Sequence, residues 1–332
     1  MRPVVQIIGP GGGDLVGRLG ERLSRVTIVD QAGMESDELV FEVRVEPPFP
    51  AGPAKDTRFS ASIGWEPAGL RMAGVYSVQN HTISGDPEQG YFMTVNCRAV
   101  DFIDAAKKVD SEHFEEMTVG AIFAKLAGAA GMTAVVAPEI ASIEVPYRLR
   151  WNQSVVDFAT ELAEDFGGTM KLAGGKMLVP VRGSGKAAGG MSLPPIIVPF
   201  RQNYGFDISI EGRGLFHDIG GGWFDILQGI DQLFAGIGLG TVSRFLPLHP
   251  FPTQAEAEKG GTATARELAR KTLSGSFDMR GDPLACAEAK VIPQGFGGEI
   301  DGLDLVCACA THEVTFDDSG GWITTVEVEG AT

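Results

Sequence analysis

Short runs of alternating apolar and polar residues, each closed by a glycine-rich turn, constrain this chain more than any other feature. In Glu38 to Val45 the residues Leu39, Phe41, Val43 and Val45 alternate with mostly polar neighbours, the two-residue period of a half-buried strand. Val26 to Val29 is a second β-branched run, and Gln31 to Asp37 between them carries turn chemistry, so the two predict a hairpin. Arg58 to Gly64, Gly74 to Ile83 and Gly90 to Val95 read as further short strands separated by Gly, Pro and Asp. Glycine fills 45 of the 332 positions, roughly twice its usual share, as a chain with many tight turns requires. A small antiparallel barrel or sandwich would hold these strands.

From about residue 99 the period changes. Thr118 can cap a helix in which Val119, Ile122, Phe123, Leu126 and Ala130 follow helical spacing, with Gly131 placed to stop it. Ser154 and Asp157 resemble a capping box for a second helix bearing Val155, Phe158, Leu162 and Phe166, closed by Gly167. Thr169 to Leu172 and Met177 to Val181 then form a hairpin around Gly174 and Gly175. Arg182 to Gly190 is rich in Gly, Ser, Ala and Lys and reads as a linker. Strands are expected again at Phe277 to Met279, Ala285 to Ile292, Leu303 to Ala310 and Trp322 to Val328, with a helix at about 264 to 273. The class is α+β and β-rich, long enough for two or three domains.

Charge and motifs remove several functions. The formal net charge of −16 opposes unspecific binding to a phosphate backbone or an anionic lipid surface. Four cysteines, Cys97, Cys286, Cys307 and Cys309, do not make a disulfide framework in a chain of this length, and reduced thiols are expected. Met1 to Gly20 lacks the apolar core and small-residue cleavage site of a secretory signal.

The N-terminus imitates a dinucleotide fingerprint, with a strand at Val4 to Ile8, glycines at Gly9 and Gly11, a helix at Leu15 to Leu23 and a strand ending at Asp30. Asp14 stands where the third glycine should pack, and a parallel continuation is missing, so a dinucleotide-binding enzyme is only a distant alternative. Glu112, His113, Glu115 and Glu116 lack a histidine pair at helical spacing and read as a solvated helical face. Cys307, Cys309 and His312 are too few and too close for a structural zinc site. No catalytic, cofactor or metal residue is expected.

One segment is unusual. Trp223, Ile226, Leu227, Ile230, Leu233, Phe234 and Ile237 follow helical spacing, opposite Asp225, Gln228, Asp231 and Gln232. These residues predict an amphipathic helix used for a subunit or partner interface, with intrachain core and lipid contact as alternatives. It is too short and too acidic to span a bilayer.

Taken in order, these features resemble the late control protein D family, the baseplate hub proteins of contractile-tailed phages, which are related to the hub part of type VI secretion spikes. The resemblance runs from about Val26 to Glu329. It is carried by VTIVDQAGMESDELVFEV, with Asp30, Gly33, Ser36 and Asp37 in its turn, by RMAGVYSVQNHTISG, by TVGAIFAKLAGAAGM and by WNQSVVDFATELAEDFGGTMKLAGGKMLV. It closes on GDPLACAEAKVIPQGFGGEIDGLDLVCACATHEVTFDDSGGWITTVEVEG, with His312 ahead of the turn at Gly321 and Trp322.

The resemblance implies two related β-barrels, at 1–98 and 190–332, an α/β insert at 99–182, and an insertion at 214–262 that breaks the pattern. It also implies a homotrimer whose six barrels form a pseudo-sixfold ring joining a sixfold tail tube to a threefold spike. The implied partners are the spike, tube or distal tube-end, tape-measure and baseplate wedge proteins, with DNA only as passing cargo and no stable membrane insertion. The implied location is the virion tail, after assembly in the host cytoplasm. A hub or spike component of a type VI-like secretion or gene-transfer machine is the alternative.

Overall fold

A computed structural model describes residues 1–33, 36–88, 90–99, 104–211, 220–225, 227–235, 250–316 and 320–331. The chain opens with β1 (Arg2–Ile8), the short α1 (Leu15–Leu19), β2 (Leu23–Gln31), β3 (Glu38–Arg44), β4 (Arg58–Glu66), β5 (Gly69–Asp86) and β6 (Gly90–Ala99). The alternation read from the sequence is the alternation of burial: Val26 and Ile28 on β2, and Leu39, Phe41 and Val43 on β3, all face one core. The β4–β5 turn needs glycine, because a Cβ on Gly64 would lie 1.9 Å from the carbonyl oxygen of Gly69.

The N-terminal decoy resolves against a dinucleotide fold. β1 runs antiparallel to β4, and β2 lies between β3 and another strand far along the chain, so no parallel pair flanks α1. The Asp14 carboxylate is occupied locally, accepting from the backbone N–H groups of Val16 at 3.0 Å and Ile7 at 3.2 Å.

The next module contains β7 (Asp110–Thr118), α2 (Val119–Ala129), β8 (Thr133–Val136), α3 (Pro138–Ala141), β9 (Glu144–Gln153), α4 (Val155–Asp165), β10 (Lys171–Ala173) and β11 (Lys176–Val179). Thr118 Oγ1 accepts from the Ala121 N–H at 3.2 Å. Ser154 Oγ accepts from the Asp157 N–H at 3.0 Å and donates to Asp157 Oδ2 at 2.7 Å. Each cap is worth about 1 kcal/mol. Gly131 and Gly167 take φ of +71° and +73°, which ends both helices where the sequence places their stops. Their buried faces, with Ile122, Phe123 and Leu126 against Phe158 and Leu162, close over Phe114, Met177 and Val179.

The expected helical face at Glu112 to Glu116 is instead strand β7, paired with β9. Phe114 is its buried residue and its neighbours are solvated, a period of two that a run of acids conceals.

The chain ends with β12 (Ile196–Pro199), β13 (Phe206–Ile210), β14 (Gly220–Asp225), β15 (Ile230–Ala235), α5 (Gln254–Arg270), β16 (Leu273–Arg280), β17 (Lys290–Gln294), α6 (Gly298–Asp301), β18 (Leu305–Thr315) and β19 (Trp322–Gly330). Three boundaries differ from the sequence reading. α5 starts ten residues earlier than expected, because Thr253 caps it with Glu256 as its partner and Gly260 and Gly261 sit inside it. Ala285 to Ala289 is a turn, with Glu288 at φ +66°, and strand begins only at Lys290.

The third difference is the expected linker, which is packed. Arg182 binds the Glu329 carboxylate through two contacts of 3.1 Å, and the Gly183 N–H donates to Glu288 Oε2 at 2.9 Å. A Cβ on Gly183 would lie 2.4 Å from the Ala331 carbonyl oxygen.

The N- and C-terminal strands form one twelve-stranded sheet with the path β1-β4-β5-β6-β3-β2-β18-β19-β16-β13, to which β17 and β12 attach. β2 and β18 make the join, antiparallel from Gln31 opposite Cys309 to Arg25 opposite Thr315. The β-rich class is therefore as expected. Among the described residues the path does not close on itself, and instead of two separate closed barrels β2 of the N-terminal half pairs with β18 of the C-terminal half. Two cores line this sheet, one around Phe41, Phe59 and Tyr76 and one around Phe277, Val291 and Leu305, and the helical module has its own.

Candidate subunit interface

With no catalytic or metal cluster expected from the sequence, the candidate site is a surface and whatever holds it in place. The segment singled out from the sequence is not a helix. Trp223 lies on β14, Leu227 in the turn, and Ile230, Leu233 and Phe234 on β15, in an antiparallel hairpin with Trp223 opposite Gln232 and Phe224 opposite Asp231. Ile226 and Ile237 lie outside the described residues.

Local chemistry explains the hairpin. Asp225 Oδ1 accepts from the backbone N–H groups of Leu227 at 2.9 Å and Gln228 at 3.1 Å, and Gly229 takes φ +68° to reverse the chain. Apolar residues at 223, 226, 227, 230 and 233 fit a helix, but Asp225 and Gly229 form a turn in their midst, and the turn decides.

The hairpin is anchored on one side and bare on the other. Gly220 and Gly221 lie against α5, where a Cβ on Gly221 would come within 2.4 Å of the Ala257 carbonyl oxygen. Trp223 bridges to Phe251, and the Phe251 N–H donates to the Gly222 carbonyl at 2.6 Å. Beyond this anchor Phe224, Ile230 and Leu233 are each about half exposed, and Leu227 at the tip is 98% exposed. By register Phe224 and Leu233 share one face, Ile230 lies on the other and Leu227 is at the tip, and such exposed apolar side chains gain little from their own chain and much from a partner that covers them.

α5 is itself fixed by charge at both ends. Near its N-terminus Arg148 reaches Asp165 at 2.9 Å and the buried Glu256 at 3.6 Å. Burial pushes the Glu256 carboxyl up and Arg148 draws it back down, leaving it above the ordinary range. At the other end Arg270 approaches Glu329, the same carboxylate that holds Arg182.

A second junction ties three distant parts of the chain together. Lys171 on β10 binds the carboxylates of Asp30 and Asp37, the latter at 2.8 Å, and donates to the Gln31 carbonyl at 2.8 Å. Asp30 also accepts from the Ala287 N–H at 3.1 Å, and Asp37 from the Gln31 N–H at 3.0 Å. Burial lowers the Lys171 pKa, but the two carboxylates outweigh it, and the ammonium is held above its usual value. Burial raises Asp37, with Asp30 adding and Lys171 opposing. Asp30 and Asp37 stand in the turn that carries the resemblance, whereas the one sequence signal of Lys171 is a lone charge in the run Thr169 to Leu172.

The remaining candidates have structural positions. His312 is buried, its Nδ1 2.9 Å from Thr324 Oγ1 and its Nε2 3.3 Å from the Ala285 carbonyl. The strand register shifts between Cys307 and Cys309, and both thiols are buried, with Cys309 Sγ 3.7 Å from Thr311 Oγ1. No helix among the described residues is long and apolar enough to cross a membrane.

Comparison with known proteins agrees with the resemblance read from the sequence. No family model matches the chain. It is 27% identical over 210 residues to a probable baseplate hub protein of Escherichia phage P2, which covers 63% of this chain and 54% of that protein. The chain thus spans about half the length of the curated relatives it matches. In fold it is similar to the 43 kDa tail protein of prophage MuSo2 from Shewanella oneidensis, with a TM-score of 0.71, 15% identity and coverage of 99% of this chain and 98% of the other. A tail protein from Neisseria meningitidis MC58 gives a TM-score of 0.70 at 11% identity, over 99% and 97% of the two chains.

Proposed function

We propose that this chain is a structural hub protein of a phage tail baseplate, acting through its surfaces and not through a catalytic centre. The observation that carries the proposal is the sequence similarity to a phage baseplate hub protein over most of this chain. A tail-protein fold along nearly its whole length supports it. In this reading residues 1–98 and 190–332 form the two ring-building halves, with 99–182 inserted between them. Three copies surround an axis and adapt a sixfold tube to a threefold spike, since a closed ring is built from repeated protein surfaces.

The spike, tube-end, tape-measure and wedge proteins are the partners this arrangement requires. The formal charge of −16 has a use here, since an acidic wall does not retain passing DNA.

The β14–β15 hairpin is the subunit contact in this proposal. Native mass measurement tests it: the wild-type protein is expected as three chains, and the pair Leu227→Asp with Leu233→Asp as one. Both side chains are more than half exposed, so the substitutions cost the isolated fold little. A wild-type protein that stays monomeric at every concentration contradicts the trimer, and a double variant that still trimerises removes the hairpin from the contact.

A further inference from the structure

We propose that the outer face of the β7–β9 ribbon is a docking site for an extended basic segment of another protein. This surface is separate from the hairpin and does not depend on whether the chain trimerises. Its inner face is committed to the module: Phe114 is buried and stacks on Phe158 with ring centroids 5.5 Å apart. Arg150, also on that side, donates to the carbonyls of Lys108 at 2.8 Å and Gln153 at 2.9 Å.

The outer face is bare. Tyr147, Leu149 and Trp151 stand at alternate positions of β9, 41%, 37% and 70% exposed, in a row about 14 Å long. Exposed single apolar residues are ordinary, whereas three large ones in register on a strand form a contiguous strip. The row is also ordered. His113 stands opposite Leu149, and its Nδ1 lies 2.8 Å from the Tyr147 hydroxyl, which fixes that ring across the strip.

Charge selects the occupant. Glu115 stands opposite Tyr147, and Glu116 and Asp110 are exposed on the same strand. None of these three carboxylates has an ion-pair partner among the described residues. An aromatic strip with Glu115 on its face and the exposed Glu116 and Asp110 at the alternate positions of the same strand favours alternating aliphatic and Lys or Arg side chains, the cations meeting Glu115 and the Trp151 face. It disfavours anionic lipid and nucleic acid. β7 and β9 pair only with each other among the described residues, so a strand edge is also open to an extended chain.

The test uses protein labelled with nitrogen-15 at tryptophan, which gives four indole signals, with Trp151 assigned by W151F. A short peptide alternating lysine and valine is expected to shift the Trp151 signal, while one alternating glutamate and valine leaves it in place. The variant Glu115→Lys with Glu116→Lys is expected to bind the basic peptide about tenfold more weakly. The proposal is overturned by an unmoved Trp151 signal, by equal response to both peptides, or by unchanged affinity in the charge-reversed variant. A Trp151 signal that moves on concentrating the protein alone assigns the strip to a second copy, which also overturns it.

Discussion

Replacing Trp322 by alanine is expected to cost about 3–5 kcal/mol, the range for removing a buried aromatic side chain. Trp322 sits at the start of β19, near the end of the chain, yet its side chain belongs to the core of the N-terminal strands. It stacks on Trp65 at 5.1 Å, meets the His312 ring edge-on at 5.8 Å, and lies over Gly281, where a Cβ would be 2.0 Å from the indole. The Trp65 indole N–H donates to the Gly281 carbonyl at 2.8 Å, so ring and backbone lock each other. Denaturant titration measures the loss. Trp322→Phe should keep part of the stacking and lose clearly less, whereas a loss below about 1 kcal/mol for alanine would show that the two halves do not depend on this ring.

Lys171→Met is expected to cost about 3 kcal/mol at neutral pH, since it leaves Asp30 and Asp37 facing each other without their cation in a half-buried junction. The pH dependence identifies the cause. The Lys171 pKa is raised in the fold, so its contribution is complete below the ordinary lysine value of 10.5 and is lost as pH rises through the higher folded value. The difference between wild type and variant should therefore hold through neutrality and shrink in alkali. It should also shrink in acid, because protonating Asp37, whose carboxyl burial already pushes up, relieves the repulsion left in the variant. Adding Asp30→Asn and Asp37→Asn to the variant should recover part of the loss at neutral pH. A deficit that stays constant at every pH would mean that Lys171 acts by packing and not by charge.

What could be read from the sequence was local, and what escaped was long-range. Thr118, Ser154, Gly131 and Gly167 mark their helix ends through chemistry that acts within four residues, and the structure uses each as expected. The hairpin at β2 and β3 followed from alternation and a turn between neighbours. The pairing of β2 with β18 joins residues nearly three hundred positions apart, and no local period announces it. Lys171 and Asp30 are 141 residues apart, and only the fold makes a junction of them.

The Trp223 to Phe234 segment was misread for a different reason. Its apolar residues fit a helical face with Asp225 on the polar side, but Asp225 and Gly229 close a turn between them, and that turn decides for the hairpin. Val145, Tyr147, Leu149 and Trp151 alternate along β9, but alternation alone does not say where the face is covered: Val145 is buried, whereas Tyr147, Leu149 and Trp151 are exposed.

The central claim is a ring-forming hub, and electron microscopy of the purified protein tests it most directly. The proposal predicts end-on class averages of a closed ring with an open centre, three subunits showing near-sixfold density. Images of isolated single chains, or of open filaments, at concentrations where the protein is otherwise fully folded would contradict it.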